Sequence, residues 1–199
     1  LLSTKDFLKA VVSKDKALLG KNLLSHVAVF EMPSYPKLLL VTDAAMNINP
    51  DVGQKYEILI NSLKVARGLG INKPKAAILS AVEYVTPTIA STGDAKLLCE
   101  RARRDSLSAT VDGPLALDIA ISKEALYHKG VESAVGGEAD ILLVPEMVSG
   151  NILYKCLVYF AGAKVSGIVM GAKVPLIVNS RADSDESKMC SIAMGMVMA

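Results

Sequence analysis

The sequence predicts an α/β fold, a mainly parallel β-sheet flanked by helices. Three observations carry that prediction. Of the 199 residues 51% are hydrophobic, yet only 5% are aromatic and none is Trp, so the apolar mass is aliphatic. Strands covered on both faces of a parallel sheet read as such unbroken aliphatic runs. Runs of this kind alternate with segments of helical spacing, the pattern of strands joined by right-handed crossover helices. Several of the runs also end at Gly, Pro, Asn or an acid, and open α/β sheets bind ligands outside the carboxyl ends of their strands.

The elements follow in order. Ser3-Thr4 ahead of Asp6-Phe7-Leu8-Lys9-Ala10-Val11-Val12 predicts a capped helix start, the hydroxyls accepting from the first free backbone N–H groups. Residues 27–30 and 38–42 predict two short aliphatic strands, and Pro33-Ser34-Tyr35-Pro36 between them suits a hairpin. Residues 51–68 predict a helix through Ile58, Leu59, Leu63 and Ala66, ended by Gly68 or Gly70. A strand at 75–80, a helix at 94–103 and a strand at 108–111 follow, the last stopping at Asp112-Gly113-Pro114. Then come a helix at 122–128, a strand at 141–144, a helix at 151–161 and strands at 167–170 and 174–178. A helix from about 184 to 198 completes the chain, with no internal repeat and no low-complexity linker.

Composition removes some functions. A formal net charge of +2 is spread along the chain without a basic stripe, so nucleic acid is not an expected partner. No window reaches the eighteen or so apolar residues that span a bilayer, so no membrane partner is expected. Leu1-Leu2 carries no initiator Met, no basic flank and no cleavage pattern, which argues against a signal peptide and for a chain that begins inside a longer protein. Cys99, Cys156 and Cys190 are odd in number, widely spaced and set among apolar neighbours, so they are expected to be core thiols of a cytoplasmic protein.

The informative pair is Ser180-Arg181, which follows the run Val174-Pro175-Leu176-Ile177-Val178-Asn179. A hydroxyl beside a guanidinium at a strand end suits a phosphate or another planar anion, because Arg offers a fixed fork of donors. Upstream stand Asp112-Gly113-Pro114-Leu115, Ala139-Asp140-Ile141-Leu142-Leu143-Val144-Pro145 and Gly150-Asn151, with Asp43-Ala44-Ala45-Met46-Asn47-Ile48-Asn49-Pro50 further up. In this order and spacing the five elements closely resemble those of the phosphate acetyl/butyryltransferase family, the phosphotransacylases, along essentially the whole chain.

The resemblance implies a two-domain fold like that of isocitrate and isopropylmalate dehydrogenases, with the first domain incomplete here. Residues 1–20 would be a remnant of that domain, 21–172 the second α/β domain, and 173–199 the return to the first. It implies acyl transfer from an acyl-CoA to inorganic phosphate by a homo-oligomer, with no metal and no cofactor beyond these substrates. Arg181 would then bind phosphate and Ser180 would stabilise the tetrahedral intermediate; otherwise they are an ion-pair partner of Asp183 or Asp185 and a cap of the last helix. Thr4 and Lys9 match a stretch where the family carries Arg, and Lys keeps the charge while losing the bidentate fork, so Lys9 is either an anion ligand or a solvated lysine on a helix face. Asn151 either caps a helix or faces the cleft, and Asp112 is either a turn acid or a cleft residue. His26 and His128 lack ligand-spaced partners and read as structural.

Acetyl-specific members carry an Asp where this chain has Ser187, and Ser25-His26-Val27-Ala28-Val29-Phe30-Glu31 resembles the butyryl branch, so a butyryl-type enzyme is expected. Two other readings compete: a decarboxylating dehydrogenase of similar fold, with Asp183 and Asp185 as weak metal ligands, and a catalytically inactive ligand-binding fragment.

Overall fold

Strand pleating sorts the aliphatic runs onto two faces of one sheet. The structure, a computed structural model, describes residues 22–178 and 184–199. Strands β1 (Ser25–Met32) and β2 (Tyr35–Thr42) form the expected hairpin, with Met32 opposite Tyr35 across Pro33-Ser34. Helix α1 (Val52–Gly68) leads to β3 (Lys75–Leu79), α2 (Ala90–Arg104) and β4 (Thr110–Leu115). Short helices α3 (Leu117–Ile121) and α4 (Lys123–Lys129) precede β5 (Ile141–Leu143), α5 (Met147–Tyr159), β6 (Lys164–Met170) and α6 (Asp185–Met198).

The six strands run in the order β4-β3-β5-β2-β1-β6. Three junctions are parallel, β4–β3, β3–β5 and β5–β2, and the two involving β1 are antiparallel. Because side chains alternate along a strand, Val27, Val29, Leu40, Ile78, Ile141 and Leu143 face one way and pack with α1, α2 and Met194 of α6. Ala28, Phe30, Leu39, Val41, Ala77 and Leu142 face the other way and pack with α3, α4 and α5. The result is three layers, helices over both faces of a mixed sheet. The long α1 owes its start to a capping box: Asp51 accepts from the Gln54 amide at 2.8 Å, and Gln54 returns the bond at 2.9 Å. Among the described residues no helix is long and apolar enough to cross a membrane.

Several expectations need correction. Strand β4 does not stop at Asp112 but runs through Gly113-Pro114; β4 is the outermost strand, so Pro114 owes no amide to a second neighbour. Helix α5 begins at Met147 rather than 151, and residues 174–178 are not a strand; among the described residues their bridge to the sheet is Val169 to Leu176. Cys99 is a core thiol as expected, whereas Cys156 and Cys190 are exposed.

Candidate functional site

The chain leaves β2 and β5, which are neighbours and parallel, in opposite directions. Residues after β2 climb to α1 on one face, while residues after β5 climb to α5 on the other. Such divergence opens a crevice outside the carboxyl ends of the strands, the topological switch point where open sheets bind ligands. Three of the motifs singled out in the sequence meet there: residues 43–47 after β2, residues 144–146 after β5, and Gly150-Asn151 in α5.

Asp43 organises this end. It is 3% exposed, and its carboxylate accepts five hydrogen bonds from described residues. The Ala45 and Met46 amides each donate to Oδ1 at 2.9 Å. The His26 amide, the Asn47 amide and Asn47 Nδ2 donate to Oδ2 at 3.2, 3.3 and 2.6 Å. The loop therefore folds back on its own first side chain, and a second donation from Asn47 Nδ2, 2.9 Å from the Leu24 carbonyl, ties it to the chain ahead of β1.

Gly150 explains why two distant motifs touch. A Cβ there would stand 2.9 Å from the Asp43 carbonyl oxygen and 3.1 Å from Ala44 Cα, so only Gly lets α5 lie against this loop. One residue on, Asn151 Nδ2 donates to the Ala44 carbonyl at 3.3 Å, and the Met147 amide donates to the Ile48 carbonyl at 3.1 Å. Asn151 is thus a bridge to the 43–47 loop and not a helix cap; the cap is Glu146, whose carboxylate accepts from the Val148 and Ser149 amides at 2.5 and 2.7 Å. Burial pushes the Glu146 carboxyl up, but its bonds from Ser149 and Val148 and the nearby Lys55 charge outweigh this and hold it below its usual range.

Two features that could hold an anion at the crevice are thereby occupied. The first amides of α5 face the Glu146 carboxylate, and the buried Lys55 ammonium lies 2.6 Å from Asp94 Oδ2, tying α1 to α2. Phosphate would need another cation. The residues predicted for that task, Ser180 and Arg181 with Thr4 and Lys9, lie outside the described residues.

Asp112 sits away from Asn151 and clamps a different loop. Its Oδ1 accepts from the Gly113 amide at 2.9 Å, and its Oδ2 accepts from the Ser133 hydroxyl at 2.6 Å and the Ala134 amide at 3.1 Å. Burial, with Asp112 close by, pushes the Cys99 thiol up to about 12, so it is held protonated and is no thiolate nucleophile. His26 is buried with its ring against Gly167, and Asp185 is exposed and pairs with Lys188 at 3.0 Å. Among the described residues no group of three or more His, Cys, Asp or Glu is placed to hold a metal ion. A cavity of about 490 Å³ lies at the far end of the sheet beside the hairpin turn, lined by Pro33, Tyr35 and Lys37 among others. It is an open surface hollow remote from the switch point.

The sequence assigned no individual role to Asp43, Glu146 or Lys55, although Asp43 opens one of its motifs. The pattern Asp-x-x-x-Asn just past an aliphatic run was the available signal for the first.

Comparison with known proteins agrees with this architecture. The family model described as "Phosphate acetyl/butaryl transferase" matches residues 1–196. A phosphate butyryltransferase of Clostridium acetobutylicum is 45% identical over 200 residues, covering 100% of this chain and 66% of that protein. A probable phosphate butyryltransferase of Bacillus subtilis is 47% identical over 192 residues, covering 96% of this chain and 64% of its own length. The chain therefore spans slightly less than two thirds of these relatives. The crystal structure of a branched-chain phosphotransacylase from Enterococcus faecalis superposes with a TM-score of 0.91 at 43% identity, covering 100% of this chain and 71% of that one.

Proposed function

The chain belongs to the phosphate acetyl/butyryltransferase family, and we propose that the whole protein is a phosphate acyltransferase of the butyryl or branched-chain type. It converts a short or branched acyl-CoA and inorganic phosphate into acyl phosphate and CoA. The observation that carries this reading is the meeting of the 43–47, 144–146 and 150–151 segments at one switch point, with Gly150 in contact with Asp43 and Ala44.

The chemistry needs an anion held in line with a thioester. A phosphate oxygen attacks the carbonyl carbon, the carbonyl electron pair moves to oxygen, and collapse of that oxyanion expels the CoA thiolate, which takes up a proton. Holding two reactants in this geometry supplies much of the rate, and donors aimed at the oxyanion supply the rest. Arg181 is assigned to the phosphate through its bidentate fork, Ser180 to the oxyanion, Thr4 and Lys9 to further substrate contacts, and Asn151 to the crevice wall. This step uses no metal and no cofactor beyond its substrates. The two-domain division, 1–20 with 173–199 against 21–172, a cytoplasmic location and a homo-oligomeric state belong to the same reading. The dehydrogenase alternative is not favoured: Asp185 is engaged with Lys188 on the surface.

The test is a direct assay of the whole protein. Butyryl-CoA or isobutyryl-CoA should be turned over to acyl phosphate with a higher kcat/KM than acetyl-CoA; a preference for acetyl-CoA would remove the branch assignment, and no acyl phosphate from any of them would remove the activity. Ser180→Ala should lower kcat by about 10²- to 10³-fold with CoA binding kept, the usual loss of one oxyanion donor. A normal kcat with a lowered melting temperature would make Ser180 a cap for the last helix.

A further inference from the structure

Many polar groups at the carboxyl end of the sheet engage one another. Asp43 accepts from its own loop, Glu146 caps α5 and Lys55 pairs with Asp94. The hydroxyls after β3 do the same: Ser80 Oγ lies 2.7 Å from Ser91 Oγ, and Thr92 Oγ1 accepts from the Thr86 amide at 3.0 Å. Beside these groups Ile48, Tyr84, Val85 and Val148 are 66%, 66%, 50% and 57% exposed. Tyr84 and Val85 follow β3, Val148 follows β5 and Ile48 follows β2, and these three strands are parallel neighbours in the order β3-β5-β2. At about 4.8 Å from strand to strand the row is about 10 Å long. Its backbone is pinned. The Ile48 carbonyl accepts from the Met147 amide at 3.1 Å, which sets Ile48 beside the first turn of α5, where Val148 stands. Glu83 pairs with Lys129 of α4 at 3.2 Å and Thr86 is tied to Thr92, so Tyr84 and Val85 are held from both sides.

We propose that this row is the seat of the acyl chain, with Ile48 and Val148 as the residues that set the preference for a butyryl or branched chain over acetyl. The inference rests on the acyltransfer reading for bringing an acyl-CoA to the crevice. Apolar side chains held in water gain when apolar surface covers them, in proportion to the area removed from water. Because the backbone under the row is already fixed, little ordering is lost when a chain settles on it. The acyl chain is the part of the substrate that lengthens by methylene groups alone. Acetyl ends at its methyl group, whereas butyryl carries two further carbons and still fits well within about 10 Å.

Ile48→Ala and Val148→Ala in the whole protein, each assayed with butyryl-CoA and with acetyl-CoA, test this. A methylene against an apolar wall is worth about tenfold in kcat/KM, so the butyryl-to-acetyl ratio of kcat/KM should fall about tenfold in each variant. Leu97, half-exposed two turns into α2 and away from the strand ends, is the control, and Leu97→Ala should leave the ratio at its wild-type value. A ratio unchanged in either crevice variant, or lowered as much by Leu97→Ala, overturns the proposal; a general folding defect lowers both rates alike and leaves the ratio where it was. Val148→Thr guards against loss of shape, since it keeps the volume of Val and turns one methyl into a hydroxyl, and it must still lower the ratio. If wild-type protein forms no acyl phosphate, the acyltransfer reading fails by itself, and the ratio is then read from the Kd values of butyryl-CoA and acetyl-CoA. A wild-type preference for butyryl-CoA that Ile48→Ala removes upholds the seat, and equal Kd values in wild type overturn it.

Discussion

The two ends of the sheet hold their loops by opposite means. At the carboxyl end of β2 and β5, Asp43 is 3% exposed and its charge is met by amide donors, with no cation among its described partners. At the amino end, the crossover into β5 is held by ion pairs whose members reach water except for the buried Asp140, which also accepts from the Lys75 amide at 2.7 Å. Lys37 pairs with Asp140 at 2.6 Å, Glu138 pairs with both Lys75 and Lys123, and the side chains of Lys37 and Lys123 are 36% and 70% exposed. Exposed pairs are screened and individually worth little, about 0–1 kcal/mol; they hold a segment down without fixing it finely. Buried neutral donors around one carboxylate act over short range and in set directions, and they become costly when unmatched. The end built for geometry is the end with the switch point.

The largest effect is expected at Gly150. Gly→Ala inside a helix normally stabilises by about 0.5–1 kcal/mol, and Gly93 in α2, with nothing within 4 Å of a Cβ, should show that gain. At Gly150 the same Cβ meets the Asp43 carbonyl oxygen at 2.9 Å, Ala44 Cα at 3.1 Å and Val144 Cγ2 at 2.8 Å. Two of these are backbone atoms that cannot swing away, so an overpacking cost of about 1–3 kcal/mol should exceed the helix gain. Thermal unfolding of Gly150→Ala and Gly93→Ala should therefore move in opposite directions, with kcat lost only in the first. If Gly150→Ala raises the melting temperature, the close approach of α5 to the Asp43 loop does not restrict position 150 to Gly.

How much of this was legible in the sequence differs between the two ends. Helix α1 was readable to within a residue because Asp51 and Gly68 mark its limits locally, and β2, β3 and β5 because each is an aliphatic run covered on both faces. The start of α5 was not readable, since Gly150 looks like a helix breaker until the backbone it touches is known. Strand β4 continues through Pro114 only because it is the outermost strand, which is a fact of topology. Residues 174–178 carry a strand's composition, but among the described residues only Leu176 finds a bridge partner. Cys156 and Cys190 were expected in the core from apolar neighbours, yet their helices turn them outward. The motifs around the switch point were visible one by one; that Asp43, Gly150 and Asn151 share one contact depends on strand order.

A middle-sized effect is expected at the amino end, where one buried hydrogen bond sits inside the charged network. The Tyr35 hydroxyl donates to the Ala139 carbonyl at 2.7 Å, and burial, then the charges of Asp140 and Glu138, push it from 10.0 up to about 12. Tyr35→Phe should cost about 1 kcal/mol, roughly 2–4 °C in a domain of this size. A raised folded-state value contributes stability that is complete below the ordinary value of 10.0 and is lost as pH climbs through about 12. The gap between wild type and Tyr35→Phe should accordingly be constant below pH 10.0 and close above it; a gap that widens instead would mean that this hydroxyl is not held by Ala139.

The smallest effect is expected at Glu138. Bonds from Lys123 and then Lys75 hold the Glu138 carboxyl down at about 2, against an ordinary 4.5. A depressed value contributes stability that is present above 4.5 and lost as pH falls through about 2, because below that both folded and unfolded chains are protonated. Glu138→Gln should lower the melting temperature slightly at neutral pH, and the difference from wild type should shrink between pH 4.5 and 2. It should shrink as well in about 1 M salt, where the screening length falls to about 3 Å. Asp43→Asn, measured alongside, should keep its deficit in the same salt, since its partners among the described residues carry no net charge. Equal salt sensitivity at the two positions would erase the distinction between an end held by charge and an end held by geometry.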